Sequence, residues 1–218
     1  MTRPTKTALF AAAKSWDALE VSALLAAEPS LIAATDLKGR AALHLACAVK
    51  PGGAGLAEAN GIATVTALLD AGAGIESEVP MDEDEGDFRA TPLWYAVARG
   101  ENLRLVQFLA SRGADASYSL WAAVWRDDPA LCRALLAAKP RLNLRAHGET
   151  PIFYAARLRR LKTLDLLIET GGDPSIPDAL GRDTVAIARA RRLPKPIVER
   201  LVALSEGLGD HVRAKRTV

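Results

Sequence analysis

Aromatic side chains are scarce in this chain: Phe, Trp and Tyr make up 5% of its 218 residues, although half of all residues are hydrophobic. A β-sandwich, which draws on aromatic and β-branched residues, is a poor match to that composition, whereas helices built from Ala and Leu fit it. Cysteine is scarce too. Cys47 and Cys132 both fall in Ala/Leu-rich helical patterns, so a buried free thiol in a reducing compartment is the expectation for each. Long hydrophobic runs are missing. The N-terminal apolar stretch stops at Lys14 after about six residues, short of a signal-peptide core and far short of a membrane span. A soluble, cytoplasmic protein with no membrane partner is expected.

No excess of one charge sign marks the whole chain, whose formal net charge is +2. The distribution is uneven. Residues 139–218 hold sixteen Lys and Arg against nine Asp and Glu, a local charge of +7, which leaves −5 on the remainder. Such a polar molecule can orient partners without specifying one. Catalytic constellations are also lacking. There are three histidines, His44, His147 and His211, with no zinc-type Cys/His spacing and no glycine-rich phosphate loop. His44 and Cys47 stand three residues apart with no third partner in the pattern, a poor basis for a nucleophile–base pair. The expectation is a non-enzyme with no cofactor and no metal. In Met81–Ala90, five carboxylates within six residues repel one another and favour an extended loop. An EF-hand would need Gly sixth and Glu twelfth; counted from Asp82, Gly86 comes fifth and Leu93 twelfth.

What is present is repetition. From Thr91 to Asp115 the residues predict two short helices back to back. Thr91 caps the first and Pro92 takes its first position, where a missing N–H costs nothing. Gly100 and Asn102 mark the turn, Leu105, Val106 and Leu109 recur at helical spacing, and Gly113 ends the second helix. Such a pair cannot bury its apolar face alone and needs similar neighbours. The run Thr91-Pro92-Leu93-Trp94-Tyr95-Ala96, followed by a second helix and Gly113-Ala114-Asp115, resembles the ankyrin repeat. Equivalent anchors at Leu9, Leu43, Leu93, Leu120, Ile152 and Val185 are separated by 34, 50, 27, 32 and 33 residues, against a family period of about 33. The outliers coincide with the glycine-rich insertion Pro51–Ala59, the acidic insertion, and a shortened hairpin before Ser119.

The resemblance implies an all-α ankyrin-repeat solenoid of about six helix-turn-helix repeats with short β-hairpin loops. The repeats are placed at approximately 5–35, 36–76, 87–116, 117–143, 144–176 and 177–205, with an acidic insertion at 77–90 and a frayed basic tail at 206–218. It also implies that His44 makes a structural hydrogen bond between loops. Trp94, Trp121 and Phe153 replace that histidine in three successive repeats, either as core filling or as an aromatic anchor for a partner. In ankyrin arrays the hairpin tips and the inner face of each first helix line the surface on which partners dock. Carried over by position, that surface contains Arg40, Phe88, Arg99, Trp125, Arg126, His147, Arg157, Leu158 and Arg191. Trp125 and the arginines stand out because Trp and Arg dominate binding hot spots.

The function expected is a non-catalytic scaffold, a monomer, that captures another protein. A stand-alone bacterial regulator or toxin-neutralising protein is the alternative within binding. The basic clusters Arg157, Arg159, Arg160, Lys162 and Arg189, Arg191, Arg192, Lys195 raise an anion or nucleic-acid binder as a different class. The acidic loop and the lack of base-stacking aromatics among those arginines disfavour nucleic acid.

Overall fold

The computed structural model describes residues 3–52, 56–80 and 89–215, with side chains to residue 208. The expected acidic loop and Phe88 lie outside the described residues. Among the described residues twelve α-helices follow in order, and the chain divides into two compact units, Met1–Ser119 and Leu120–Val218.

The first unit contains α1 (Lys6–Lys14), α2 (Ala18–Ala27), α3 (Ala42–Cys47), α4 (Glu58–Asp70), α5 (Pro92–Tyr95) and α6 (Leu103–Ser111), with a 3₁₀ turn at Pro29–Ala33. The first helices stack on one another, α1 on α3 and α3 on α5; the second helices stack in a parallel row, α2 on α4 and α4 on α6. Between the rows lie Leu9, Leu43, Leu68, Leu93, Leu105 and Leu109, all fully buried, each worth about 1.5–3 kcal/mol of transfer free energy. Strands β1 (Val79–Pro80) and β2 (Arg89–Ala90) pair antiparallel, Val79 opposite Ala90. The capping expected at the third repeat is present. The Thr91 hydroxyl accepts from Trp94 N–H at 3.3 Å and the Asn102 carbonyl from Leu105 N–H at 3.0 Å. Gly113, at φ +92°, follows the end of α6. Helix α4 begins at Glu58, inside the end of the glycine-rich insertion. Glu58 extends it favourably, because a carboxylate in the first turn complements the helix dipole.

Helix α5 does not stop at Tyr95 but widens into a π-helical turn over Ala96–Gly100. A Cβ at Gly100 would stand 2.5 Å from the carbonyl oxygen of Cys47 and 3.2 Å from that of Val49. The glycine therefore lets the turn press against the end of α3.

The second unit carries α7 (Ser119–Arg126, whose first residue closes unit one), α8 (Pro129–Ala137), α9 (Pro151–Leu158), α10 (Leu161–Glu169), α11 (Thr184–Ala190) and α12 (Lys195–Lys215). Again α9 packs on α11, while α8, α10 and α12 form the second row. Val124, Ile152, Phe153, Leu164, Leu167 and Ile187 belong to one buried cluster. The stretch from residue 206, read from the sequence as a frayed tail, instead continues the last helix to Lys215. Beyond Pro196 no proline interrupts it, and Leu, Glu, Ala, Arg and Lys sustain it despite Gly207 and Gly209.

At the turn between paired helices the backbone becomes left-handed at a non-glycine residue in five repeats: Trp16, Glu101, Asp127, Arg159 and Arg192, with φ between 48° and 57°. An L-residue there costs roughly 1–2 kcal/mol. Four of the five send their side chains to a neighbouring repeat. The Trp16 indole N–H donates to Ala46 C=O at 2.9 Å, near the end of α3, where that carbonyl also accepts from Val49 N–H at 3.4 Å. Glu101 pairs with Lys50 at 3.0 Å. Asp127 accepts from the N–H and the hydroxyl of Thr163 at 3.0 and 3.1 Å. Arg159 donates to the carbonyls of Arg191 and Arg192 at the end of α11. Helix α10 starts after Arg160, which supplies no cap of its own; Asp127 caps it from the preceding repeat. These links offset the backbone strain.

Candidate functional site

Helix α7 is apolar on most of its surface. Leu120, Trp121, Ala122, Ala123 and Val124 are buried, and its last turn then presents Trp125 at 56% exposure. The chain's other tryptophans are inside: Trp16 at 2%, Trp94 at 7% and Trp121 at 5%. Trp94, Trp121 and Phe153 are thus core residues, which settles the two readings of the aromatic substitutions in favour of core filling. Tyr95 is buried against His44 and Trp94, edge to face, at 5.5 and 5.2 Å.

On the neighbouring first helix, Arg157 takes the position equivalent to Trp125. Its Nε lies 2.7 Å from Glu149 Oε1 and its guanidinium 5.2 Å above the Tyr154 ring, which holds it in place along the face. Leu158 beside it is half-buried, as is Arg126. Arg191, the C-terminal residue capping α11, is exposed, and so is Arg192. Neither has a carboxylate within ion-pair distance among the described residues. His147 is exposed at the tip of the Ala146–Glu149 turn, in a left-handed conformation at φ +54°. Trp125, Arg126, His147, Arg157, Leu158 and Arg191 therefore share the second unit.

The remaining expected positions belong to the first unit. Arg99 is exposed within the π-helical turn. Arg40 is committed to its own turn, with Nε and a terminal nitrogen 2.8 and 2.7 Å from Asp36 Oδ2. Burial alone would raise the Asp36 pKa; hydrogen bonds from the Arg40 side chain and from the Arg40 and Lys38 amides overcome it and hold the carboxyl below its ordinary value. The same turn recurs in the last repeat, where Arg182 grips Asp178 at 2.6 Å and, with the Arg182 and Leu180 amides, lowers its pKa. Sequence position alone ranked Arg40 with the exposed arginines. The Asp-x-x-Gly-Arg spacing was the available sign that it closes a turn instead.

His44 has both ring nitrogens occupied. Nδ1 accepts from Ala41 N–H at 3.2 Å, so Nε2 carries the proton and donates to Ser77 C=O at 2.9 Å. Burial pushes its pKa down, against the opposing pull of the Ser77 carbonyl. The ring is a neutral link between loops, as the resemblance implied. Cys47 is fully buried and burial pushes its thiol far up; the Cys132 thiol is raised to about 12 by burial. A thiol held protonated is a poor nucleophile. Among the described residues no group of three or more His, Cys, Asp or Glu is placed to hold a metal ion, and no helix is long and apolar enough to cross a membrane.

Two rows of stacked helix pairs, joined by turns with capped ends, define a helical repeat protein. The family model for ankyrin repeats (3 copies) matches residues 55–178, and the chain belongs to the ankyrin repeat family. No curated protein matches it in sequence. Among solved structures it is similar to an ankyrin repeat domain from Acinetobacter baumannii, with a TM-score of 0.68 at 24% identity over 90% of this chain and 96% of that one. Another ankyrin repeat protein gives 0.65 at 20% identity over 92% and 96%. The ankyrin repeat domain of Bcl-3, a member of the IkappaB family, gives 0.61 at 21% identity over 89% and 97%. These likenesses bear on the fold: an all-α ankyrin solenoid. Ankyrin repeats are generally protein–protein interaction modules and typically non-catalytic.

Proposed function

We propose that this chain is a non-catalytic module that captures another protein, and that its docking face lies in the second unit, centred on Trp125. One observation carries the reading: of four tryptophans, three are packed inside and the fourth is left 56% exposed at the end of a first helix. Leaving an indole in water forgoes the burial that the other three obtain, and a large rigid side chain of this kind loses little conformational freedom when a partner covers it. Arg157, held by Glu149 and Tyr154, and half-buried Leu158 continue the face on α9. A surface already fixed in place lowers the ordering cost of association. Six repeats, at the boundaries given above, supply the frame.

The test is affinity capture from the native cell with the full chain and with Trp125→Ala. Because the residue is exposed, the variant should keep its helicity and melting temperature, within about 0.5 kcal/mol. The expected result is loss of the captured protein. A variant that captures the same protein as well as the parent chain would end the proposal.

A further inference from the structure

Trp125 and Arg191 mark opposite ends of one stripe, and their chemistry differs. Trp125 ends α7. Position by position, Arg157 and Leu158 follow on α9, and Arg191 comes at the end of α11. Val124 shares a buried cluster with Ile152 and Phe153 of α9, and α9 packs on α11, so the three helices stand in register. With adjacent helices about 8–10 Å apart, the stripe is about 20 Å long, the reach of about six extended residues.

Its electrostatics are one-sided at the α11 end. Arg191 and Arg192 are exposed with no carboxylate partner among the described residues, and Arg159 adds a third guanidinium by donating to their carbonyls. The unit as a whole supports this sign. Residues 120–218 contain eighteen Lys and Arg against eleven Asp and Glu, a formal charge of +7. Toward the α7 end the stripe offers apolar surface: the exposed indole of Trp125 and, following Arg157 on α9, half-buried Leu158.

Resting on the docking face proposed above, we infer that the partner presents an extended acidic segment: an aromatic or aliphatic residue seated on Trp125 and Leu158, followed within about six residues by carboxylates on Arg191 and Arg192. Carboxylates match planar guanidinium donors. A nucleic-acid strand matches this stripe less well. Glu149, only 15% exposed and held against Arg157, places a negative charge midway, and Asp127 and Asp128 follow Arg126. These interrupt the continuous positive track that a phosphate backbone needs.

A random peptide library displayed on phage and selected on the full-length chain tests this directly. The expected outcome is enrichment of sequences with an apolar residue and Asp or Glu following it. A selected peptide, measured by fluorescence anisotropy, should bind about thirtyfold more weakly to Trp125→Ala. It should bind about tenfold more weakly to Arg191→Glu, with affinity falling as salt is raised. No enrichment, enrichment without acidic residues, or displacement of the selected peptide by single-stranded oligonucleotide at lower concentration than by acidic peptide would overturn the inference. The two proposals separate in cell capture. Capture lost in Trp125→Ala but intact in Arg191→Glu removes the acidic segment and leaves the docking face standing; capture intact in both removes both.

Discussion

The two units solve the same problem, fastening one repeat to the next, with different chemistry. In the first, the buried links are neutral: the Trp16 indole on Ala46 C=O, and the His44 ring between Ala41 and Ser77. More exposed ion pairs run beside them, Lys50–Glu101 at 3.0 Å, Arg104–Glu58 at 3.5 Å and Arg112–Asp70 at 3.6 Å. In the second unit, charge does the fastening. Asp127 caps α10, Arg159 caps the end of α11, and Arg200 reaches Asp165 at 2.6 Å and Glu169 at 3.8 Å. A buried neutral hydrogen bond is costly to break, because its abandoned partner stays out of water. Half-exposed charges are screened by salt and contribute little each. Repeats can therefore be locked together at similar geometry with very different sensitivities to solvent.

The sharpest way to break the comparison is at Trp16. The indole lies across α4, where a Cβ at Gly61 would come within 2.8 Å of its ring. Trp16→Ala removes a buried aromatic and should cost about 3–5 kcal/mol; Trp16→Phe keeps an aromatic ring and removes one donor from the Ala46 carbonyl, which retains Val49 N–H at 3.4 Å, at about 1 kcal/mol. Denaturant unfolding followed by circular dichroism reads both, and a loss independent of salt is expected. A Trp16→Ala variant as stable as the parent chain would show that the first unit is fastened elsewhere.

In the second unit, Asp127→Ala should cost about 1–2 kcal/mol, the worth of a helix N-cap. Asp127→Asn should recover most of it, because an amide oxygen still accepts from Thr163. Equal losses for both variants would mean that charge, not capping, carries the link.

Acidification should separate the units next. The depressed pKa of His44 means that the unfolded chain binds the proton more readily, so its contribution is complete above the ordinary histidine value of about 6.5 and declines as pH falls below it. Asp178, also depressed, keeps its contribution until pH drops below the ordinary carboxylate value of about 3.9. Between pH of about 6.5 and 5, hydrogen exchange should therefore quicken around Ala41, His44 and Ser77 and remain steady around Asp178–Arg182. Uniform exchange across both turns would contradict the assignment of His44 as a neutral link.

The smallest effect is expected at Arg200→Ala. Both carboxylate partners are largely exposed, so the loss should stay within about 1 kcal/mol and vanish in high salt. A larger, salt-independent loss would place this contact among the buried links.

Much of the fold was legible in local rules. Thr91-Pro92, Asn102, Asp128-Pro129 and Thr150-Pro151 start helices because capping and proline geometry act within four residues. Gly113 ends one for the same reason. The π-helical turn at Ala96–Gly100 was not legible, since it depends on how closely Gly100 meets carbonyls of α3, some fifty residues back in the chain. The length of α12 was misjudged because weak local preference, not an apolar stripe, continues it. Counting from repeat anchors reached Trp125 and Arg191, both exposed, and by the same rule Arg40, which Asp36 already holds.

The sequence by itself determined that short paired helices recur and need neighbours, because capping, helical spacing and apolar anchors are properties of contiguous residues. Only the tertiary structure decided which tryptophan stays in water, which arginines retain free donors and which left-handed residue reaches which neighbour. Those outcomes depend on side chains about thirty residues apart coming into contact, and no local pattern records that meeting.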